Sequence, residues 1–236
     1  RLHGKGARLL LFESKDTIPG AYTVTINRYG ASYLCGAMAK DYEALIMVAM
    51  KGIDVADDAV QAFQLGHDRH AENYRNSCNV IYLANDERGF AMPDSAYRTL
   101  TAFLRQRLPY QGIVFPLLGG SEVGVVRAMN DMTINPALFI GMDVDQSRQS
   151  KNTPYSMVVH IGDVLYDHLY DWYNGKEWPQ TRRFGLADKA INVVINGAFL
   201  DRISSFDNPF TELETTITDF YDSFINEAIK EEEEHN

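Results

Sequence analysis

Two aspartates, Asp143 and Asp145, stand one residue apart at the end of an apolar run, in the segment IGMDVDQS from Ile140 to Ser147. Side chains on an extended backbone alternate with a period of two, so a strand here points both carboxylates to the same side. Two like charges so placed need a cation, hydroxyl donors or water. The pair therefore fits a metal site, a clamp on ligand hydroxyls, or a solvated strand end. No third carboxylate follows in the same loop, which makes the metal the least favoured of the three. A carboxylate that accepts hydroxyl hydrogen bonds needs no pKa tuning, which suits binding without chemistry. Upstream, Gly119, Gly120 and Ser121 follow the apolar run Ile113–Leu118 and precede a helical pattern. Their spacing matches neither the dinucleotide fingerprint nor a P-loop. It does suit a backbone turn whose N–H groups, at a helix start, hold a polar ligand group. Phe115, beside Pro116 at the end of that run, is by default a core aromatic; the alternative is a ring stacked on a planar ligand.

Other chemistry-bearing residues are weaker. His67 and His70, three apart in HDRH, have a spacing that one helix face could use for zinc, but the polarity of the segment predicts an exposed helix end. HExxH, GxSxG and CxxC motifs are absent from the sequence, so no local catalytic motif marks it as an enzyme, and the reading assigns no cofactor and no metal ligands. Cys35 lies in a helix-like run and Cys78 just before a strand, which predicts free thiols rather than a disulfide.

Elements that would position these residues alternate along the chain. Strand-like runs occupy Ala7–Glu13, Tyr22–Ile26, Ala44–Met50, Asn79–Leu83, Ile113–Leu118, Ala137–Met142, Ser156–His160, Arg182–Phe184 and Val193–Ile195. Helical patterns lie between them at Ala31–Lys40, Val55–Asp68, Ser95–Arg107, Glu122–Met132 and Gly162–Asn174. Most early strand runs are continuously apolar, as in strands covered on both faces, and the alternation predicts a parallel sheet flanked by helices. Open α/β sheets bind ligands beyond the carboxyl ends of their strands, where Asp143 and Gly119 fall. Asp94 is the expected N-cap of the third helix, and Gly175 the expected C-cap of the fifth. From Pro209 to Asn236, Leu213, Ile217, Phe220, Phe224 and Ile225 form an apolar stripe at helical spacing. The run Glu231–Glu234 that follows predicts a frayed, solvated end.

A chain of 236 residues, 45% apolar, can bury a substantial core in one or two domains. Its net charge of −10 argues against a nucleic-acid partner, because no basic stripe offsets phosphate. No apolar run approaches the roughly 18–20 residues of a membrane span. No signal peptide is evident in Arg1–Arg8, and the chain opens without a methionine, which points to an upstream segment removed or not included.

Taken in order, the motifs resemble the basic membrane protein family of ABC-transporter substrate-binding lipoproteins, which includes purine nucleoside receptors. The resemblance runs through YTVTINRYGASYLCGAMA (Tyr22–Ala39), AVQAFQLG (Ala59–Gly66), GFAMPDSA (Gly89–Ala96), IVFPLLGGSEVGV (Ile113–Val125) and IGMDVDQS (Ile140–Ser147). The last of these is the most specific. The resemblance implies a type I periplasmic-binding-protein fold: two lobes of parallel sheet flanked by helices, with ligand in the cleft between them. Residues 1–42 plus 154–236 would form the first lobe, incomplete because the family's opening segment has no counterpart before Arg1, and 43–153 the second.

By the same resemblance the chain would capture a nucleoside or a similar small polar aromatic ligand and pass it unaltered to a membrane ABC permease. Its place would be outside the cytoplasmic membrane, held by a lipid anchor not present in this chain. Phe115 would stack on the base, Asp143 would accept ribose hydroxyls, and Gly119, Gly120 and Ser121 would lie against the ligand. Asp145, Gln146, His160 and Glu13 complete the expected site. His160 stands where the family has lysine, Glu13 where it has aspartate, and Glu122 where its loop has a third glycine. A sensing module on the same scaffold is the alternative, and an enzyme using Asp143 and Asp145 the least favoured reading.

Overall fold

The computed structural model describes residues 8–14, 18–71, 77–107, 112–132, 137–204 and 211–235, with the side chains of 202–204 and 211–216 outside the description. Expectations for residues 1–7 and for the Leu213 side chain therefore lie outside the described residues. In chain order the first half runs β1 (Leu10–Phe12), β2 (Tyr22–Ile26), α1 (Tyr29–Met38), β3 (Glu43–Met50), α2 (Asp54–His70), β4 (Cys78–Ala84) and α3 (Pro93–Gln106). The second half runs β5 (Gly112–Leu117), α4 (Glu122–Asp131), β6 (Leu138–Phe139), β7 (Gly141–Asp143), β8 (Tyr155–Val159), α5 (Ile161–Tyr173), β9 (Thr181–Phe184), β10 (Ile191–Ile195), α6 (Gly197–Ser204) and α7 (Thr211–His235). None of the described helices is long and apolar enough to cross a membrane.

The continuous apolar run of β3 has its explanation in a parallel sheet of order β4-β3-β5-β6 with both faces covered. Leu45, Met47 and Ala49 face Leu100 and Leu104 of α3 and Val125 and Ala128 of α4. Ala44, Ile46 and Val48 belong to the opposite core, with Val60 and Phe63 of α2 and the residues of α1. A second sheet, β1-β2-β9, is parallel throughout. The third, β10-β8-β7, departs from the all-parallel expectation, because β10 runs antiparallel to β8. The chain enters β10 beside the carboxyl end of β8, where His160 N–H donates to the Ala190 carbonyl at 2.8 Å, and must run back along it.

The run Ala137–Met142, expected as one strand, divides at Ile140. Its first part pairs with β5 and its second with β8, so one segment carries the chain from one sheet to the next. Two capping expectations resolve differently. Asp94 is not the N-cap of α3: Pro93 occupies the first helical position, where its missing N–H costs nothing, and Met92 precedes it. Asp94 instead pairs with Arg127 at 2.8 Å. Gly175, at φ 76°, follows the last residues of α5 in the left-handed conformation that ends helices.

Every residue of α1 is buried. It crosses α2 at glycines, since a Cβ on Gly36 would collide with the Phe63 carbonyl oxygen and one on Gly66 with that of Tyr33. Its buried amino end is met by α7: Glu232 accepts from Gly30 N–H at 3.0 Å and from Leu186 N–H at 2.8 Å. The expectation of a frayed, solvated Glu231–Glu234 run is thus corrected in part: the run is helical and Glu231 and Glu232 are covered, while Glu233 and Glu234 are exposed. Glu232 is only 4% exposed, Arg69 bonds Glu227 and Glu231, and Tyr33 donates its hydroxyl to Glu227. A helix start with unpaired N–H groups is a natural seat for a carboxylate, and that drive outweighs like-charge repulsion along the run. Cys35 and Cys78 are free thiols, as expected.

Gly36→Ala tests the crossing. Alanine would gain about 1 kcal/mol of helix propensity, but the clash with α2 backbone is of the kind that costs roughly 1–3 kcal/mol or more. A net loss of stability is expected in urea unfolding, and a stabilised variant would refute the close approach.

Candidate functional site

Parallel pairing sends the carboxyl ends of β3, β4 and β5 to one edge of their sheet, and those of β7 and β8 to one edge of theirs. Residues Ala84–Asp86, Leu117–Ser121, Asp143–Gln146 and His160 lie at these ends. Asp143 closes β7 with φ 62°, a left-handed backbone that non-glycine residues rarely adopt. Its carboxylate is exposed, and Val144 N–H turns back to the Met142 carbonyl at 2.7 Å. The extended backbone on which the same-side argument for Asp143 and Asp145 rests therefore stops at Asp143. Asp145 accepts from Ser147 N–H at 2.9 Å and so stabilises its own turn.

Gln146 is buried and supports this turn from beneath. Its backbone N–H donates to Ser156 Oγ at 3.1 Å, and its Nε2 donates to Glu122 Oε1 at 2.7 Å and to the Met142 carbonyl at 3.2 Å. Glu122 is the residue whose role the sequence reading missed. Burial, with a lesser contribution from the Asp143 charge, pushes its carboxyl up to about 8, against the hydrogen bond from Gln146 that lowers it. A signal was available: Glu122 stands three and seven residues before Val125 and Met129, on the buried face of α4.

The glycine loop divides between surface and support. Gly119 and Gly120 are exposed at the start of α4, and Gly119 takes φ 52°. A Cβ on Gly119 would come within 3.0 Å of the half-buried Phe90 ring. Ser121 is fully buried; its Oγ donates to the Gly89 carbonyl and accepts from Met92 N–H, both at 2.6 Å. It ties the loop to the Glu87–Ala91 turn and has no face toward solvent. That turn also borders a shallow cavity of about 510 Å³ lined by Ala84, Asn85, Asp86, Arg88, Ala91 and Met92.

Phe115 does not reach the edge. It is 0% exposed, with its ring 4.7 Å from that of Phe63 and 15° from parallel, so the core reading holds and the ligand-stacking expectation is not met. Pairing in the sheet turns its side chain toward α2. His160 follows β8 and is partly exposed; its Nε2 lies 3.1 Å from Asn192 Oδ1 and its Nδ1 3.6 Å from Asp163. It borders a cavity of about 380 Å³ beside α5, shared with Asp163, Asp167, Trp178, Arg182 and Lys189, whose lining does not include Asp143. Glu13 directly follows β1 with φ 51°, accepts from the Ile26 N–H and pairs with Arg28 at 2.7 Å, joining the ends of β1 and β2. The structure thus brings Asp143, Asp145 and Gln146 together, with Glu122 beneath. Phe115 and Ser121 go to the interior, and Glu13 and His160 lie at the ends of other strands.

No protein-family model and no curated protein matches this sequence. Solved structures do match. An ABC transporter solute-binding protein from Aeropyrum pernix K1 superposes with TM-score 0.65 at 14% identity, over 96% of this chain and 67% of that one. A transcriptional activator of the comK gene from Bacillus halodurans gives TM-score 0.68 at 16% identity, over 95% and 72%. A periplasmic solute-binding protein from Actinobacillus succinogenes 130z with bound D-allose gives 0.58 at 13%, over 84% and 73%. The fold is accordingly α/β, of the type I periplasmic-binding-protein kind, with parallel sheets flanked by helices. At these identities the likeness extends to fold alone.

Glu122 makes stability depend on pH. Its folded pKa of about 8 lies above the ordinary 4.5, so the stabilisation linked to its proton is complete below about pH 4.5 and is lost as pH rises through about 8. Glu122→Gln retains a hydrogen-bonding side chain and removes the titration. The variant should melt progressively higher than wild type between about pH 6 and 9, by several degrees at the upper end, with the difference shrinking toward pH 5. A difference independent of pH would contradict the assignment.

Proposed function

We propose that this chain captures a small hydroxyl-bearing ligand at the strand-end edge, without transforming it, and serves as a substrate-binding component for a membrane ABC permease. The observation that carries the reading is the backbone at Asp143 and Glu13. Asp143 is the last residue of one parallel strand and Glu13 directly follows another, in a different sheet, and both hold left-handed conformations of the kind that cost about 1–3 kcal/mol. Strain at two strand ends where an α/β fold places its ligand is what a built binding site would retain. Asp143 supplies an exposed acceptor for vicinal hydroxyls, Asp145 and Gln146 fix its turn, and Gly119 and Gly120 lie exposed at the start of α4.

Support from relatives concerns ligand class. Among structures of this fold are one with bound D-allose, a glucose-galactose binding protein and an arabinose binding protein, both of the latter from Geobacillus stearothermophilus. These favour recognition through sugar hydroxyls, a property that a nucleoside shares through its ribose. The nucleoside reading keeps Asp143 as the ribose acceptor and transfers base stacking from Phe115 to Phe90, whose ring lies against Gly119. An extracytoplasmic place and attachment by a lipid anchor belong to the same reading. Sensing is the second reading, favoured by a fructose-binding periplasmic domain of a two-component system and by transcription regulators of the same fold.

A thermal-shift screen with sugars, nucleosides and free bases tests the assignment. Ligand at a hundred times its Kd adds about 2.7 kcal/mol, or roughly 5–10 °C for a chain of this size. Asp143→Gly should abolish the shift while leaving the unliganded melting temperature equal or higher, because glycine relieves the left-handed strain. If no sugar or nucleoside raises the wild-type value, the proposal fails, and turnover of any of them would transfer the reading to an enzyme.

A further inference from the structure

A different cluster lies at the opposite end of the β4-β3-β5-β6 sheet. Cys78 is the first residue of β4, and His67 and Asp68 sit in the last turn of α2. Ligand atoms of the three residues all lie within 4.8 Å of one another. The polarity of the HDRH segment predicts an exposed His67, but the side chain lies fully inside, while His70 turns to Glu227 at 3.1 Å.

His67 is oriented by its hydrogen bonds. Nε2 lies 2.9 Å from the Tyr42 carbonyl oxygen, which can only accept, so Nε2 carries the hydrogen. A neutral ring then presents its Nδ1 lone pair, and Asp68 Oδ1 stands 3.1 Å from it. Two acceptors face each other across that gap, and only a positive charge between them, a proton or a metal ion, makes the contact favourable. A proton would satisfy that pair by itself, whereas Cys78 Sγ, within 4.8 Å of both atoms, adds the third donor that a metal ion would take. Backbone carbonyl bonding to the far nitrogen is also how metal-binding histidines are held.

We propose that His67 Nδ1, Asp68 and Cys78 Sγ form a binding site for a borderline-soft divalent cation of the zinc class, with a fourth position open to solvent. Ligand sets of nitrogen, thiolate sulfur and carboxylate suit such ions, and tetrahedral bond lengths put ligand atoms about 3.3–3.6 Å apart. The observed nitrogen–oxygen spacing is already close to this. Asp68, whose side chain is 69% exposed, has the freedom to close the remainder. The ion would tie the end of α2 to the start of β4, remote from the strand ends proposed to bind ligand. Burial, with the nearby Asp68 charge, pushes the Cys78 thiol up to about 12, so metal capture must expel that proton.

Co2+ titration of the reduced, chelator-treated chain reads the site directly. The expected result is one equivalent bound, with a sulfur-to-cobalt charge-transfer band and the visible intensity of a four-coordinate ion. Zn2+ should bleach both. Cys78→Ser should lose the charge-transfer band, and Cys35→Ser should keep it. Asp68→Asn, at an exposed position that does not threaten folding, should weaken binding at least tenfold while retaining the band at saturating Co2+. A wild type with no charge-transfer band, or a band that survives Cys78→Ser, overturns the proposal.

Discussion

The structure depends on burying α1 completely. A helix with no exposed residue cannot leave its terminal backbone groups to water, so partners must come from elsewhere in the chain. Glu232 arrives from more than two hundred residues away to accept from Gly30, and the Tyr155 hydroxyl donates to the Cys35 carbonyl at 3.1 Å. Close crossing with α2 then requires the glycines at 36 and 66, because backbone atoms occupy the space a side chain would need. Burying Glu232 raises its pKa, while the two backbone N–H groups oppose that shift. The arrangement is therefore specific as well as stabilising: with either the amino end of α1 or the Leu186 N–H displaced, a buried carboxylate would lose its compensation.

From this core the edge follows. With α1 and α2 filling one face of the β3 sheet and α3 and α4 the other, Phe115 has no choice but the interior. The same packing consumes Ser121 and Gln146 as internal hydrogen-bonding groups. What remains outside is Asp143, Asp145 and the glycine loop. The division at Ile140 has a similar origin: its backbone N–H still bonds Val114 at 2.9 Å, while Gly141 already pairs with Ser156. One short segment thus links two sheets and delivers Asp143 to the end of the second.

Much of this was legible in sequence, for physical reasons. Strands covered on both faces read as unbroken apolar runs, so β3 and β5 were visible within a residue or two. Helices with one apolar stripe, such as α3, were equally plain. Phe115 shows the boundary of such reading, because adjacency in sequence to a ligand loop does not say which face of the sheet a side chain takes. The role of Glu122 was missed, and Glu232 was misplaced, for another reason. Charge predicts exposure unless a partner is known, and both partners, Gln146 and the amino end of α1, are remote in sequence. His67 failed likewise: its polar neighbours hid a side chain whose companions, Tyr42 and Cys78, come from other elements.

Glu122 also links the proposed binding edge to its support. The Asp143 charge is one of the causes that raise the Glu122 pKa, smaller than burial. Linkage is reciprocal: whatever changes the field of Asp143 changes proton affinity at Glu122, and protonation of Glu122 changes binding at Asp143 by the same factor. Hydroxyl groups hydrogen-bonded to Asp143 disperse its charge only partly, so a sugar or nucleoside couples weakly to the Glu122 proton. A cation at the same position would cancel the field and lower the Glu122 pKa outright, releasing a proton on binding. The electrostatics beneath the turn therefore discriminate between the two ligand classes that an exposed aspartate pair suggests. An edge supported by a carboxyl that is protonated through much of the neutral range carries less negative charge than its residue types imply, which favours hydroxyl recognition over metal capture there.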